Sequence, residues 1–206
     1  MSVSNEFLLS VYEKCNDHLK EQSKKRDQTI AFYLVVISFY FGSHANINKL
    51  LVGQYTPILF SFVLCIVGGM VIRTLSGLRS WHIQYANAIM IINNVMAKDI
   101  KTTAEINSEI NYFLAEKKTT YKTMTVRHIF SGVENRVILA MTFISGFPVL
   151  MLAKELSIAI GIRDVNYIFL IEALFYITYV SYYFYNTIEN IRKSADQVTW
   201  IIKFEE

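Results

Sequence analysis

Residues 169–186 read FLIEALFYITYVSYYFYN. One charge, Glu172, stands near the start of a run that is otherwise apolar and aromatic. A carboxylate costs nothing on a helix face washed by water. Near the centre of a bilayer it costs at least about 2.5–3.5 kcal/mol. The solvent around this segment therefore decides the fold, and the rest of the chain identifies that solvent.

From Val165 to Ile188, Glu172 is the only Asp, Glu, Lys or Arg. Three earlier blocks lack these residues altogether: Gln28 to Asn48, Leu50 to Ile72, and Val137 to Ala153. A spanning helix needs about 20 apolar residues. The second and fourth blocks meet that length. The first meets it if His44 and the asparagines near its end, Asn46 and Asn48, sit at the interface. The third is short. Of the 206 residues, 53% are hydrophobic and only 18% charged, against about 25% charged in soluble domains. A soluble helical protein would lack the polar surface to cover four such blocks. The first 27 residues are polar and precede no signal-peptide pattern, so the first block is expected to be an uncleaved span. The predicted fold is all-α: an oligomeric integral membrane protein whose four transmembrane helices extend into cytoplasmic amphipathic helices. Its expected parts are an N-terminal helix (1–27), a transmembrane hairpin (28–73), a cytoplasmic helical region (74–135), a second hairpin (136–188) and a C-terminal helix (189–206).

Basic residues set the orientation. Lys24, Lys25, Arg26, Arg73, Arg79, Arg136, Arg192 and Lys193 flank the blocks on one side, and Lys49, Lys154 and Arg163 fall on the other. The positive-inside rule puts both termini and the 74–135 region in the cytoplasm of a cell with this protein in its inner membrane.

The second block continues into a helix. Leu75, Leu78, His82, Tyr85, Ile89, Ile92 and Met96 step by three and four, flanked by Trp81, Ala88 and Val95, which predicts a heptad seam. Leu8, Val11, Cys15 and His18 repeat the pattern at the N-terminus, and Ile188, Ile191, Ala195, Val198 and Ile202 at the C-terminus. Together these stripes predict a helical bundle beside the membrane. Thr102 to Glu105 and Ser131 to Glu134 have capping-box spacing. Residues 116–128, EKKTTYKTMTVRH, are basic and aperiodic, and are read as a loop or short helix at the tip. Lys117, Lys118, Lys122 and Arg127 make this tip the candidate site for an anionic ligand. The competing reading is a solvated tip against the lipid surface.

Within the spans, Ser61, Cys65 and Gly69 recur every fourth residue, a spacing that lets helices approach closely in lipid, within one chain or between chains. Pro57 suits a first turn, whereas Pro148 beside Gly146 is expected to kink the third span. Five tyrosines, from Tyr176 to Tyr185, follow Glu172 around the whole helix, and the later ones suit an interfacial aromatic belt. Three readings of Glu172 remain open. It is a neutral, hydrogen-bonded carboxyl inside a bundle, a member of an acidic ring lining a cation pore, or a proton carrier.

Catalysis has little to draw on. The chain contains no nucleotide-binding glycine loop, GxSxG, HExxH or CxxC. Cys15 and Cys65 fall where disulfides are rare. Cys15 and His18 alone do not make a metal site. No cofactor, metal or enzymatic activity is predicted. The net charge of +3 does not by itself argue for nucleic acid.

The overall plan, with short outer loops, basic flanks and long helices such as 73-RTLSGLRSWHIQYANAIMIINNVM-96, resembles the small four-helix transmembrane effectors of bacterial anti-phage systems, among them the CBASS and Hailong classes. The resemblance covers architecture and transfers no individual binding residue. It implies a gated ion channel or membrane-disrupting pore, assembled as a homo-oligomer in the bilayer. It also implies control by a nucleotide or oligonucleotide signal, or by a partner protein from the same operon. A non-conducting adaptor that recruits a soluble partner, and a small ion or proton transporter, are the alternatives.

Overall fold

The computed structural model of the protein describes residues 5–50, 55–100, 102–123, 125 and 132–194. They form five helices: α1 (Asn5–Leu50), α2 (Thr56–Ala97), α3 (Thr103–Thr123), α4 (Val133–Ala159) and α5 (Val165–Ser194). No strand occurs among the described residues, so the fold is all-α as the periodicities predict. Three helices, α2, α4 and α5, are long and apolar enough to cross a membrane. The side chains of His44, Asn46 and Asn48, on which the reading of the first block turns, lie outside the described residues.

Two compact units share these helices. One comprises residues 1–26, 76–131 and 188–206, the other 27–75 and 132–187. Three of the boundaries fall inside helices.

In the first unit, aliphatic side chains at helical spacing form the core. Leu8 and Cys15 of α1 meet Ala88, Ile91, Ile92 and Val95 of α2, with Ile106, Ile110 and Phe113 of α3 closing the cluster. Leu8, Val11 and Cys15 of the N-terminal stripe thus turn inward as the spacing predicts, whereas His18 is exposed and lays its ring on Tyr85 at 5.0 Å. The predicted α2 seam needs correcting. Tyr85 and Ile92 are buried, but Met96 and Trp81 are exposed and Ile89 is only partly covered. The buried face is centred on Ala88, Ile91, Ile92 and Val95 instead. Polar contacts join α2 to the end of α5: Asn190 donates to the Ser76 hydroxyl at 3.0 Å, and the Ser194 and Ser80 hydroxyls lie 2.7 Å apart. Ile188 and Ile191 are buried, whereas Ala195, Val198 and Ile202 lie outside the described residues.

A tight turn joins α2 to α3. Asp99 takes a left-handed conformation with φ of 50°, and the Ile100 N–H returns to Val95 O at 3.1 Å, closing the helix as C-terminal caps do. Lys98 pairs with Glu109 across the turn at 2.7 Å. Thr102 then caps α3: its hydroxyl accepts from the Glu105 N–H at 3.4 Å and donates to the Glu105 carboxylate at 2.7 Å. Before α4 the N-cap is Gly132, in extended conformation, one residue beyond the predicted Ser131, which lies outside the described residues. At the far end of α4, Gly161 (φ 88°) ends the helix, and Asp164 opens α5 by accepting from the Asn166 N–H at 2.8 Å.

The second unit has an aliphatic core around one buried tyrosine. Tyr33 and Ile37 of α1 pack with Val71, Ile72 and Leu75 of α2 and Ile138 and Met141 of α4, while Tyr179 and Tyr183 of α5 lean on this cluster. Buried hydroxyls on α4 return to their own helix. Thr142 donates to Ile138 O and Ser157 to Ala153 O, both at 2.8 Å, which hides them from an apolar solvent. The helical assignment of α4 runs on through Pro148.

A candidate polar site on the inner face of the last helix

The site lies wholly in the second unit. At 3.6 residues per turn, Glu172, Tyr176, Tyr179, Tyr183 and Thr187 fall within a stripe about 80° wide on α5. Those positions are half-buried or buried, while Leu170, Leu174 and Ile177 on the opposite face are exposed. The tyrosines therefore do not form a uniform belt. Tyr182 and Tyr185 point outward, while three rings at spacings of three and four point in.

Each inward ring meets a glycine. A Cβ placed on Gly146 would run into the Tyr176 ring, and one on Gly69 into the Tyr183 hydroxyl. A Cβ on Gly68 would lie 2.8 Å from the Tyr33 hydroxyl, 2.9 Å from Ser145 Cβ and 3.3 Å from the Tyr179 hydroxyl. Tyr33, Tyr179 and Ser145 thus converge on one point of the α2 backbone. The absence of side chains at Gly68, Gly69 and Gly146 lets α5 dock this closely. Contacts within the chain account for the Ser61–Cys65–Gly69 stripe. Ser61 is buried and shares a 2.8 Å hydrogen bond with Tyr40 of α1, Gly69 lies under Tyr183, and Cys65 is half-buried between them.

The hydroxyls differ in their partners. Tyr176 donates to Phe143 O at 3.3 Å, on α4. Tyr182, on the outer side, accepts from Arg73 at 3.3 Å. By contrast, the Tyr33, Tyr179 and Thr187 hydroxyls are sealed from solvent and have no hydrogen-bond partner among the described residues. Ser145 donates to Thr142 O at 2.9 Å and faces Tyr179 outside hydrogen-bond geometry. Each such buried, unsatisfied hydroxyl costs about 1–3 kcal/mol, so three in one unit call for an explanation. Glu172 is half-buried, and no described residue bonds to it.

The basic tip is arranged differently from the sequence reading. Helix α3 runs to Thr123, so residues 116–123 are helical. Lys117 extends over the Phe113 ring at 5.2 Å, a cation–π contact one turn apart. Lys118 and Lys122 lie one turn apart on the same helix, with their side chains outside the described residues, and Arg127 lies outside them entirely. No group of His, Cys, Asp or Glu suited to a metal occurs among the described residues.

Sequence reading missed Tyr33, Gly68, Gly146 and Thr187 as members of the site. The Gly68–Gly69 doublet was the available signal, because two adjacent glycines serve two neighbours at once. Compared with family models, with characterised proteins and with solved structures, the chain matches none.

Proposed function

We propose that the chain is an oligomeric membrane effector of a cell inner membrane. It opens the bilayer to ions, as a gated channel or disrupting pore, under control of its cytoplasmic helices. In this reading four helices span, the fourth being the segment Gln28–Asn48 of α1, and both termini are cytoplasmic. The observation that carries the proposal is α5. It is long and apolar enough to cross a membrane, yet no residue of its apolar stretch is fully buried by the rest of the chain, and it holds Glu172 within that stretch. Lipid and neighbouring copies would cover the outer face, while the carboxylate turns toward polar company. The division of the chain after Arg26 and near Arg73 agrees with membrane edges at the basic flanks. A role in anti-phage defence, with a nucleotide signal or an operon partner acting on the cytoplasmic helices, rests on the resemblance of plan.

The test is reconstitution of the purified full chain in liposomes, with ion flux recorded for the native chain and for Glu172→Gln and Glu172→Leu. An effector gives flux, together with depolarisation on induced expression, and Glu172→Gln reduces both while the oligomer persists. A folded oligomer that passes no ion and depolarises no cell would instead support the adaptor reading, which draws on the separate core of the first unit.

A further inference from the structure

We propose that the inner face of α5 is a proton-selective path inside a single protomer, running from Glu172 to Thr187. The inference rests on the reading that α5 crosses the bilayer and the protein passes ions. From Glu172 to Thr187 the helix rises about 22 Å, most of a hydrocarbon core about 30 Å thick.

Length and chemistry both suit a proton. Each step along the stripe is about one helical turn or less, and the Tyr179 and Tyr183 rings are 4.7 Å apart. Tyr33, fully buried, and Thr187 aim unpartnered hydroxyls into the same unit. A hydroxyl donates and accepts at once. It can take a proton on its oxygen lone pair while releasing its own through a bridging water to the next oxygen, since the hydroxyls of the stripe are not bonded to one another. Only O–H bonds break and form, and the net result is one proton moved. Glu172 is the acid of the stripe, and its carboxylate takes up the entering proton as a carboxylic acid. Tyr33 and Tyr179 converge on Gly68, and Tyr183 covers Gly69 beside it.

Space provides the selectivity. At Gly68, Gly69 and Gly146 the path is bounded by contacts too close for one added carbon. A hydrated sodium or potassium ion is far larger than a methyl group. A proton relayed by single waters between hydroxyls needs far less room than such an ion.

The experiment uses full-length protein in liposomes loaded with a pH-sensitive dye, with potassium and valinomycin setting the voltage. Potassium flux is measured separately without valinomycin. The native chain should move protons at least tenfold faster than potassium. Tyr33→Phe/Tyr179→Phe, which keeps both rings and removes both hydroxyls, should cut proton flux at least tenfold with the oligomer peak unchanged. If that double variant fails to assemble, Thr187→Val carries the same expectation at the other end of the stripe. Native flux in the variant that assembles overturns the proposal. Potassium crossing as fast as protons overturns it too, but leaves the channel reading standing. A native chain that passes neither ion overturns both.

Discussion

The two units of this chain are both helical, yet they are held together by different means. The first is closed by branched side chains at Ile91, Ile92, Ile106 and Ile110, with paired polar groups along its seams. Gln22 and Asn87 are its exceptions, each with one unpartnered amide atom. The second has branched side chains of its own at Ile37, Val71, Ile72 and Ile138, and adds flat rings on bare backbone, with Tyr176, Tyr179 and Tyr183 over Gly146, Gly68 and Gly69. Branched aliphatics expel water from a surface that water would otherwise wet. In lipid that driving force between helices is absent, and close approach with van der Waals contact takes its place. Ring-on-glycine contact of this kind sets the second unit apart.

The contrast breaks most sharply if a charge enters the aliphatic core. Ile91→Asp should cost about 3–5 kcal/mol as an unpaired buried carboxylate and loosen the first unit. Cys15 reports it. The thiol is buried and burial pushes its pKa up, so it should alkylate slowly in the native chain and readily in the variant. Ile89→Asp, at the partly covered flank, should have a smaller effect.

Adding bulk at a ring-on-glycine contact should do in the second unit what Ile91→Asp does in the first. Gly146→Val drives two methyl groups into Tyr176 and should cost about 1–3 kcal/mol, read as a lower melting temperature in detergent. Cys15 labelling should stay slow. A fast Cys15 in Gly146→Val would mean that the units do not fail separately.

Thr102→Ala removes a cap from α3 and should cost about 1 kcal/mol, visible as faster amide exchange in its first turn. The effect should be confined to the first unit.

The smallest effect is electrostatic. Lys25, by hydrogen bond and charge, holds the Glu21 carboxyl below its ordinary value of 4.5. A depressed carboxylate contributes stability above that value and loses it as pH falls through the lowered one. Helix content in α1 should therefore dip slightly only below about pH 4.5. The dip should disappear in Lys25→Ala and shrink in high salt, as expected for an exposed pair.

Features that depend on local chemistry were legible in the sequence. The Thr102–Glu105 box, the inward Leu8–Cys15 stripe and the apolar blocks of α2, α4 and α5 were all read from spacing and composition. The α2 register was not, because 88-AIMII-92 offers an apolar residue on every side and only the helices opposite choose among them. The end of α3 was missed because lysine and threonine leave no periodicity to follow. Thr119 and Thr120 nevertheless continue the helix, returning their hydroxyls to Ala115 O and Glu116 O. The tyrosine face was hidden for a similar reason. Tyrosine suits an interface and an interior equally well, and what turned three of the rings inward was the glycines on other helices, far away in the chain.

Those glycine contacts also bear on how the last helix can move. Interlocked side chains resist displacement because ridges of one helix sit in the grooves of its neighbour. Rings seated over glycines are teeth of this kind, each filling a notch that one added carbon would close. A shift of α5 along its own axis must lift three rings at once over the side chains that flank the glycines. Contacts of this sort change by discrete steps rather than by continuous sliding, so the last helix has few resting positions, like a ratchet.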